Sequence, residues 1–513
     1  MLNLIAAILL EKGLVNSAWQ SEMQLRGELV ALFREYYDGN HRLKLTNEMR
    51  KMMQITDERL DRYNSNYCEM VVSQMADRLT VDMIEAETPS PGSASLTTPD
   101  GRPAPPNAAQ VKQVNPAQVW ADDLLKENRF DGLQIDVREA ALRDGVTFVM
   151  SELVKDGTTE RIFWAHELAW DGDCGTMVIY DRQGREIVAG VKVWYEGDYR
   201  RANIYYRNST ERYKYERVTI EENGQKKEEM QLLSIGGEET SRDSQEPGVP
   251  IIPFFNKSKN GSSELVNVIP LQDSLNSTLI SMVMNALLTA FSLLFAKGWQ
   301  PPSGITPGMI LNAGILNTDG SPYWNESKDV AEAAAALNES YSLERIQPGE
   351  VEPLIAQAEF LIKQIGTVSL TPVPGLMGGD SQSGEALQER RIGQLGKVNA
   401  AQVRLGNSWE NLIALAHSQQ MIFGTSMPPE SAGWSCRWKS AEIRNDTNIL
   451  KAAELLQKWG FVREALRLLS RTTMVQYSED DINTLMNEQR GDAQLKLGDA
   501  VGNVPDFGAF EFA

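Results

Sequence analysis

The sequence predicts a mainly helical α+β chain, and three observations carry that prediction. Apolar residues recur at three- and four-residue steps through much of residues 1–88 and again beyond residue 350, as they do on helices with one buried face. Between Val146 and Ile235 the pattern changes to short runs rich in Val, Ile, Tyr and Trp, divided by turn dipeptides. Finally, Ser274 to Ala296 runs for 23 residues, SLNSTLISMVMNALLTAFSLLFA, without one formal charge.

In chain order, the opening MLNLIAAILL has no basic segment and no cleavage site, and Glu11 and Lys12 follow at once. It reads as the start of a helix rather than a signal peptide. Leu25, Leu29, Leu32, Phe33 and Tyr36 mark a second helix that stops at Asp38-Gly39. Tyr67, Val71, Met75 and Leu79 share one face of another, over Asn64 to Leu79. The whole of residues 1–88 is read as helical. Residues 89–119 hold seven prolines among Ser, Thr, Gly and Ala, a composition that builds no core, so they read as a flexible surface insertion. Helices resume at Trp120–Asn128 and Gln134–Arg143, the latter ending at Asp144-Gly145.

The β region then reads as an antiparallel meander of six strands. Its turns are Asp156-Gly157, Asp171-Gly172, Gln183-Gly184, Glu196-Gly197 and Asn223-Gly224. GVPIIPFFN, Gly248 to Asn256, is a proline-punctuated extended segment leading to the uncharged stretch, which Gly298 ends. Residues 299–350 are irregular, with one helix expected from Lys328 to Leu337. Pro353 to Ile365 is helical again. Leu370 to Ser383, LTPVPGLMGGDSQS, is a polar glycine-rich loop, and Ser383 caps a second long helix, Gly384 to about Gln420. Gly393, Gly396 and Gly406 inside that helix mark kinks or close packing. A strand near Trp434–Trp438 and helices at Asn448–Trp459, Val462–Leu469 and Glu479–Gln489 complete the order, with a loose tail over residues 491–513.

The uncharged stretch has two readings. As a helix rising 1.5 Å per residue it would be long enough to span a bilayer core. Yet Asn276, Ser277, Thr278, Ser281, Asn285, Thr289 and Ser292 are spread along it, with Ser274, Ser281, Asn285 and Ser292 forming a semi-polar stripe. A helix packed on several sides by protein, with one face towards water, accounts for that pattern better.

With 513 residues the chain has length for about two to four domains. Its net charge of −20 argues against a broad grip on phosphate backbones, which needs Lys and Arg. Cys68, Cys174 and Cys436 are far apart and lack metal-ligand spacing, as are His41, His166 and His417, so neither a disulfide frame nor a zinc site is implied. No phosphate-binding GxxxxGK[ST], no GxSxG and no HExxH occurs. Asp171, Asp173 and Asp181 sit in turns where Asp is common, and His166 between Trp164 and Trp170 reads as packed. No catalytic, cofactor-binding or metal-binding residue is identified. An unrecognised carboxylate site is the weakest alternative.

Four words in order complete the picture: YYDGNH (Tyr36–His41), NYCEMVVSQMADRLT (Asn66–Thr80), GVPIIPFFN with GSSELVNVIPLQDSLN after it, and SGEALQERR (Ser383–Arg391). With WSCRWK (Trp434–Lys439) and KWGFVREAL, they resemble the portal proteins of long-tailed bacteriophages, over roughly Leu25 to Arg490. The resemblance implies a structural ring of twelve subunits at one capsid vertex of the virion, made in the host cytoplasm, with no enzymatic activity and no cofactor. Double-stranded DNA would be packaged and ejected through it. The terminase large subunit, a head-tail adaptor, and major capsid and scaffolding proteins would be partners.

By the same resemblance residues 1–256 and 384–445 form a wing, 257–297 and 351–369 two stem helices, 298–350 a clip, 370–383 a tunnel loop and 446–490 a crown. Gly378, Gly379, Asp380 and Gln382 would lie nearest DNA. Leu279, Val283, Asn285, Leu287 and Phe291 would form stem and subunit contacts. Trp299, Tyr323, Trp324 and Lys328 would meet partners at the clip. Lys297, Lys328 and Arg345 read either as contacts there or as solvated cations. The competing expectation is a membrane-associated protein anchored by residues 275–296.

Overall fold

The computed structural model describes residues 2–41, 65–87, 115–156, 159–197, 199–207, 209–222, 225–234, 240–241, 248–258, 260–290, 293–297, 342–346, 350–372, 384–440, 446–469 and 482. The chain divides into two compact units, Met1–Trp438 and Lys439–Ala513.

In the first unit the apolar opening forms α1 (Leu2–Glu11), and Leu2, Ile5 and Leu9 bury themselves on a sheet. That sheet runs β4 (Gly175–Tyr180), β5 (Ile187–Glu196), β6 (Tyr199–Tyr206), β7 (Ser209–Glu222), β8 (Gln225–Ser234), all antiparallel, with β9 (Thr240–Ser241) off β7. Strand alternation sends Ala189, Val191, Val193, Ala202 and Ile204 to the helix side, while Val178 and Tyr205 on the other face join a second core with Val249 and Ile251. The expected meander is therefore split. Its first hairpin, β2 (Val146–Asp156) with β3 (Thr159–Glu167), joins β10 (Ile251–Phe255) in a separate sheet ordered β10-β2-β3. GVPIIPFFN pairs back to the hairpin across a hundred residues, an interaction that local periodicity does not encode.

α2 (Trp19–Tyr37) ends at Asp38-Gly39 as read, and α3 (Tyr67–Ala76) is capped by Asn66, which accepts from Glu69 N. Two other expectations are corrected here. Val81–Glu87 is a strand, β1, not helix: it pairs antiparallel with β13 (Gly433–Trp438), and the distant partner decides its conformation. The Pro-rich segment gives way to helix earlier than expected. Asn115 caps α4 (Pro116–Glu127), with Pro116 in the first turn where no N–H is needed. The remainder of the insertion, 88–114, lies outside the described residues.

α5 (Phe130–Asp144) ends on Gly145, at φ +86 in the left-handed region. A Cβ there would lie 2.8 Å from Ser263 N and 2.9 Å from Ser262 C. Gly145→Val is expected to lower stability by about 2 kcal/mol or more, through backbone strain and overlap together, as urea denaturation should show. Wild-type stability in that variant would contradict the close approach.

The uncharged stretch is not one helix. α6 runs Ile269–Ala290, and Leu293–Lys297 forms β11, paired antiparallel with β12 (Ser342–Ile346). The return helix α7 (Glu352–Ser369) is longer than read and packs beside α6. Among the described residues no helix is long and apolar enough to cross a membrane, so the anchor at residues 275–296 is excluded as a helical span. Ser274, Ser277 and Ser281 return their hydroxyls to carbonyls four residues back, which satisfies them without any outside partner.

α8 (Gly384–Phe423) packs on the β1-β13 pair and on the β10-β2-β3 sheet. Trp409 packs edge-on to Phe254 and Phe130 at 4.5 and 4.9 Å, and Ser151 and Gln419 exchange two hydrogen bonds of 2.7 Å. Gly406 lets the Trp438 ring approach; Gly396 faces nothing within 4 Å, so close packing explains only some of this helix's glycines. In the second unit α9 (Asp446–Lys458) and α10 (Val462–Leu469) pack through Ala453, Ala465 and Leu469. The expected helices at Lys328–Leu337 and Glu479–Gln489 lie outside the described residues, apart from residue 482, as does the tail.

Candidate functional site

Three of the words singled out in the sequence, YYDGNH, NYCEMVVSQMADRLT and PLQDSLN, meet at one place, the root of α6. Tyr36 stacks on His41 at 5.0 Å and donates its hydroxyl to Asp273 near the start of α6. Asn66 Nδ2 donates to the Tyr37 carbonyl at 2.8 Å, closing the α2–α3 connection. Gln272, fully buried, accepts from Tyr67 N–H at 3.1 Å and donates to the Ser65 carbonyl at 2.6 Å.

Those backbone groups fix every polar direction in the relay. Gln272 Nε2 must also be the donor to Asn276 Oδ1 (3.0 Å), which leaves Asn276 Nδ2 to donate to His41 Nδ1 (2.8 Å). His41 then carries its proton on Nε2 and gives it to the Tyr36 carbonyl at 3.1 Å. Neutral His41 is required. Burial holds its pKa below the ordinary histidine value, against the opposing Tyr36 carbonyl, Asn66 and Asp273.

The unfolded chain therefore takes up this proton first on acidification. The stability contributed by the neutral joint is full above about pH 6.5 and is lost as pH falls below it. His166, bonded to the Thr147 hydroxyl, is depressed by burial in the same sense. His41→Gln is expected to remove part of the slope of stability between about pH 7 and 5, measured by urea midpoints. An unchanged slope would count against the relay.

A second buried cluster ties the approach of α6 to α8. Glu264 is 3% exposed; it accepts from Asn256 Nδ2 at 2.8 Å, pairs with Lys257 at 3.1 Å, and pairs with Lys397 of α8. Lys397 also donates to the Ser369 carbonyl at 2.9 Å, the last residue of α7. A cation at a helix C-terminus is favourable. Leu370 follows in the left-handed conformation with its side chain against Gly393. Burial lowers the Lys397 pKa and Glu264 opposes that shift. One buried pair thus holds the end of α7, the middle of α8 and the approach to α6 together.

A third cluster anchors α2. Arg34 bonds Asp144, Asp171 and the Ala169 carbonyl, and Arg143 shares Asp144, whose side chain is fully buried. Asp171 is thereby an ion-pair partner and turn acceptor for Asp173 N and Cys174 N. No group of side chains suited to a metal ion occurs among the described residues. Burial pushes the Cys68 and Cys436 thiols up to about 12, which leaves them unreactive.

Of the residues read as stem contacts, Leu279, Val283 and Asn285 are half-buried on α6, and Leu287 lies on its last turns. Phe291 lies outside the described residues. So do Gly378, Gly379, Asp380 and Gln382 of the loop, and Trp299, Tyr323, Trp324 and Lys328 of the 298–341 segment. Lys297 and Arg345 stand on β11 and β12, where Lys297 pairs with Ser342 and Arg345 with Leu294. Sequence reasoning missed His41, Gln272, Asn276, Glu264 and Lys397 as a set. Each lies in or near a word quoted for the resemblance, but one sequence does not show which polar residues meet.

The family model described as phage portal protein, SPP1 Gp6-like, matches residues 23–495, nearly the whole chain. No curated protein matches it. The chain belongs to this portal protein family. It is a structural, non-catalytic protein that serves DNA packaging in the phage capsid.

Proposed function

We propose that this portal-family chain closes into a ring at one capsid vertex, with the α6–α7 hairpin as its stem and residues 370–383 as the loop nearest the passing duplex. The observation that carries the reading is the hairpin itself. α6 and α7 pack side by side, β11 and β12 join in antiparallel pairing beyond α6, and buried polar clusters root them in the body. A paired-helix element with a fixed base suits a heterologous interface repeated around an axis. The segment between β11 and β12 would be the clip, offered to the terminase large subunit and then to a head-tail adaptor. The second unit would be the crown, the remainder the wing facing capsid and scaffolding proteins. Twelve copies would complete the ring.

The acidic balance fits a conduit. With −20 per chain, the assembled wall repels the phosphate backbone on average, so a duplex meets no deep electrostatic well that would stall it. Negative-stain microscopy of the purified full chain is expected to show closed rings with a central hole. A protein that stays monomeric at every concentration would overturn the proposal.

A further inference from the structure

A cleft of about 330 Å³ opens where the second core meets α2 and the approach to α6. Phe33 and Phe148 line it as buried rings, and Tyr180 and Phe255 as half-buried ones with centroids 6.4 Å apart. Leu29 and Val266 also line it, 50% and 46% exposed. Leu25, one turn before Leu29, is exposed as well, so an apolar stripe of α2 continues past the packing of its own chain. Arg26 and Asp144, the charged groups in the lining, are already bound to Glu22 and to Arg34 and Arg143. The cleft therefore offers rings and aliphatic carbon, and no free charge, to an occupant.

At the far end of β2 the same unit presents an apolar side chain on a fixed mount. Met427 is 82% exposed, yet its loop is tied on both sides. Lys155 donates to the Phe423 carbonyl at 2.7 Å, and Glu160 accepts from Thr425 N–H at 2.6 Å. Gln420 donates to the Ser426 hydroxyl at 3.2 Å, and His417 Nε2 bonds the Pro429 carbonyl at 2.8 Å. Pro428, next to Met427, is buried. A large apolar residue held out on such a loop needs little backbone ordering when it docks. Phe148 in the cleft and Lys155 at the loop both lie on β2, about 23 Å apart at the rise of a strand. A loop tethered at that distance cannot turn back into its own cleft.

We propose that Met427 of one copy of this chain docks in the cleft of the next, with Leu25, Leu29 and Val266 closing round it. A thioether on an unbranched stem fills an irregular apolar gap and is attracted to the edges of aromatic rings, which this cleft supplies. A guest and a site on different surfaces of one molecule make a head-to-tail contact, and such a contact closes into a ring when the rotation between copies allows it. The inference rests on the ring proposed above and names one of its joints.

The test places a photoreactive residue at position 427 of the full chain, illuminates the assembled protein and maps the joined peptides by mass spectrometry. Chain-to-chain links are expected, landing on the peptides that carry Leu29, Tyr180 or Val266. Met427→Glu, at a position open to solvent, should raise the concentration needed for rings about ten-fold or more and leave the urea midpoint of the unassembled chain unchanged. Leu29→Glu should do the same from the other side of the joint, and Met427→Leu should assemble close to wild type. Rings whose links map elsewhere, or whose assembly ignores both glutamate changes, would overturn this contact and leave the ring standing. A chain that forms no rings would overturn both.

Discussion

Glu264→Ala is expected to lower stability by about 3–5 kcal/mol. The change removes the carboxylate that faces Lys397 in a site where Glu264 is 3% exposed and the Lys397 side chain 15%. An ammonium left there has only the Ser369 carbonyl at 2.9 Å, too little to replace water and a counter-charge. Asn256 loses an acceptor as well. The variant's loss should shrink as pH rises: burial already holds the Lys397 pKa low, and without Glu264 opposing that, the folded form sheds the proton sooner. Replacing both residues, Glu264→Met with Lys397→Met, should recover much of the loss, because the unpaired charge is gone. Urea denaturation followed by circular dichroism checks all three. A single variant within about 1 kcal/mol of wild type would mean the pair is not buried as described.

Replacing Gly378-Gly379 with Pro-Pro is expected to abolish DNA packaging while leaving assembly intact. The loop's ends are set by the structure: α7 stops at Ser369, held by Lys397, and α8 starts at Gly384, nine residues before the Gly393 that Leu370 touches. At 1.5 Å per helical residue those ends lie only about 14 Å apart along α8. A connection of that many residues has more reach than this span requires, and under the proposed channel that excess is what would let it shift as the grooves of a duplex pass. Two prolines fix φ at both positions and remove that freedom without touching the Lys397 clamp. Rings by microscopy with no packaged genome is the predicted pair of results. Normal packaging by this variant would refute a moving loop.

Local chemistry made much of the fold legible. Asp38-Gly39 and Asp144-Gly145 stop helices where they were read to stop, and Val462–Leu469 is the helix that was read. What stayed hidden was long-range pairing. Val81–Glu87 becomes a strand because Gly433–Trp438 lies beside it, and LLFAK leaves the helical run because Ser342–Ile346 does. An apolar stretch with serines at helical spacing cannot announce that its last five residues will find a strand partner. The site was legible only as words. YYDGNH and PLQDSLN carried the resemblance, but the relay from Tyr67 through Gln272 and Asn276 to His41 exists only once α2, α3 and α6 meet. Glu264 lay inside a quoted word, GSSELVNV, but nothing there set it apart from the other 69 acidic residues as the one to be buried.

The path of DNA past the chain is the central claim, and a site-specific photo-crosslink measures it directly. A photoreactive residue is placed at Gly379 in one protein and at Tyr195, 46% exposed on β5, in another, and each is assembled into particles that package DNA. Illumination during packaging is predicted to join DNA to the chain from position 379 and not from position 195. Capture from position 195 alone, or from neither, would contradict a channel lined by this loop.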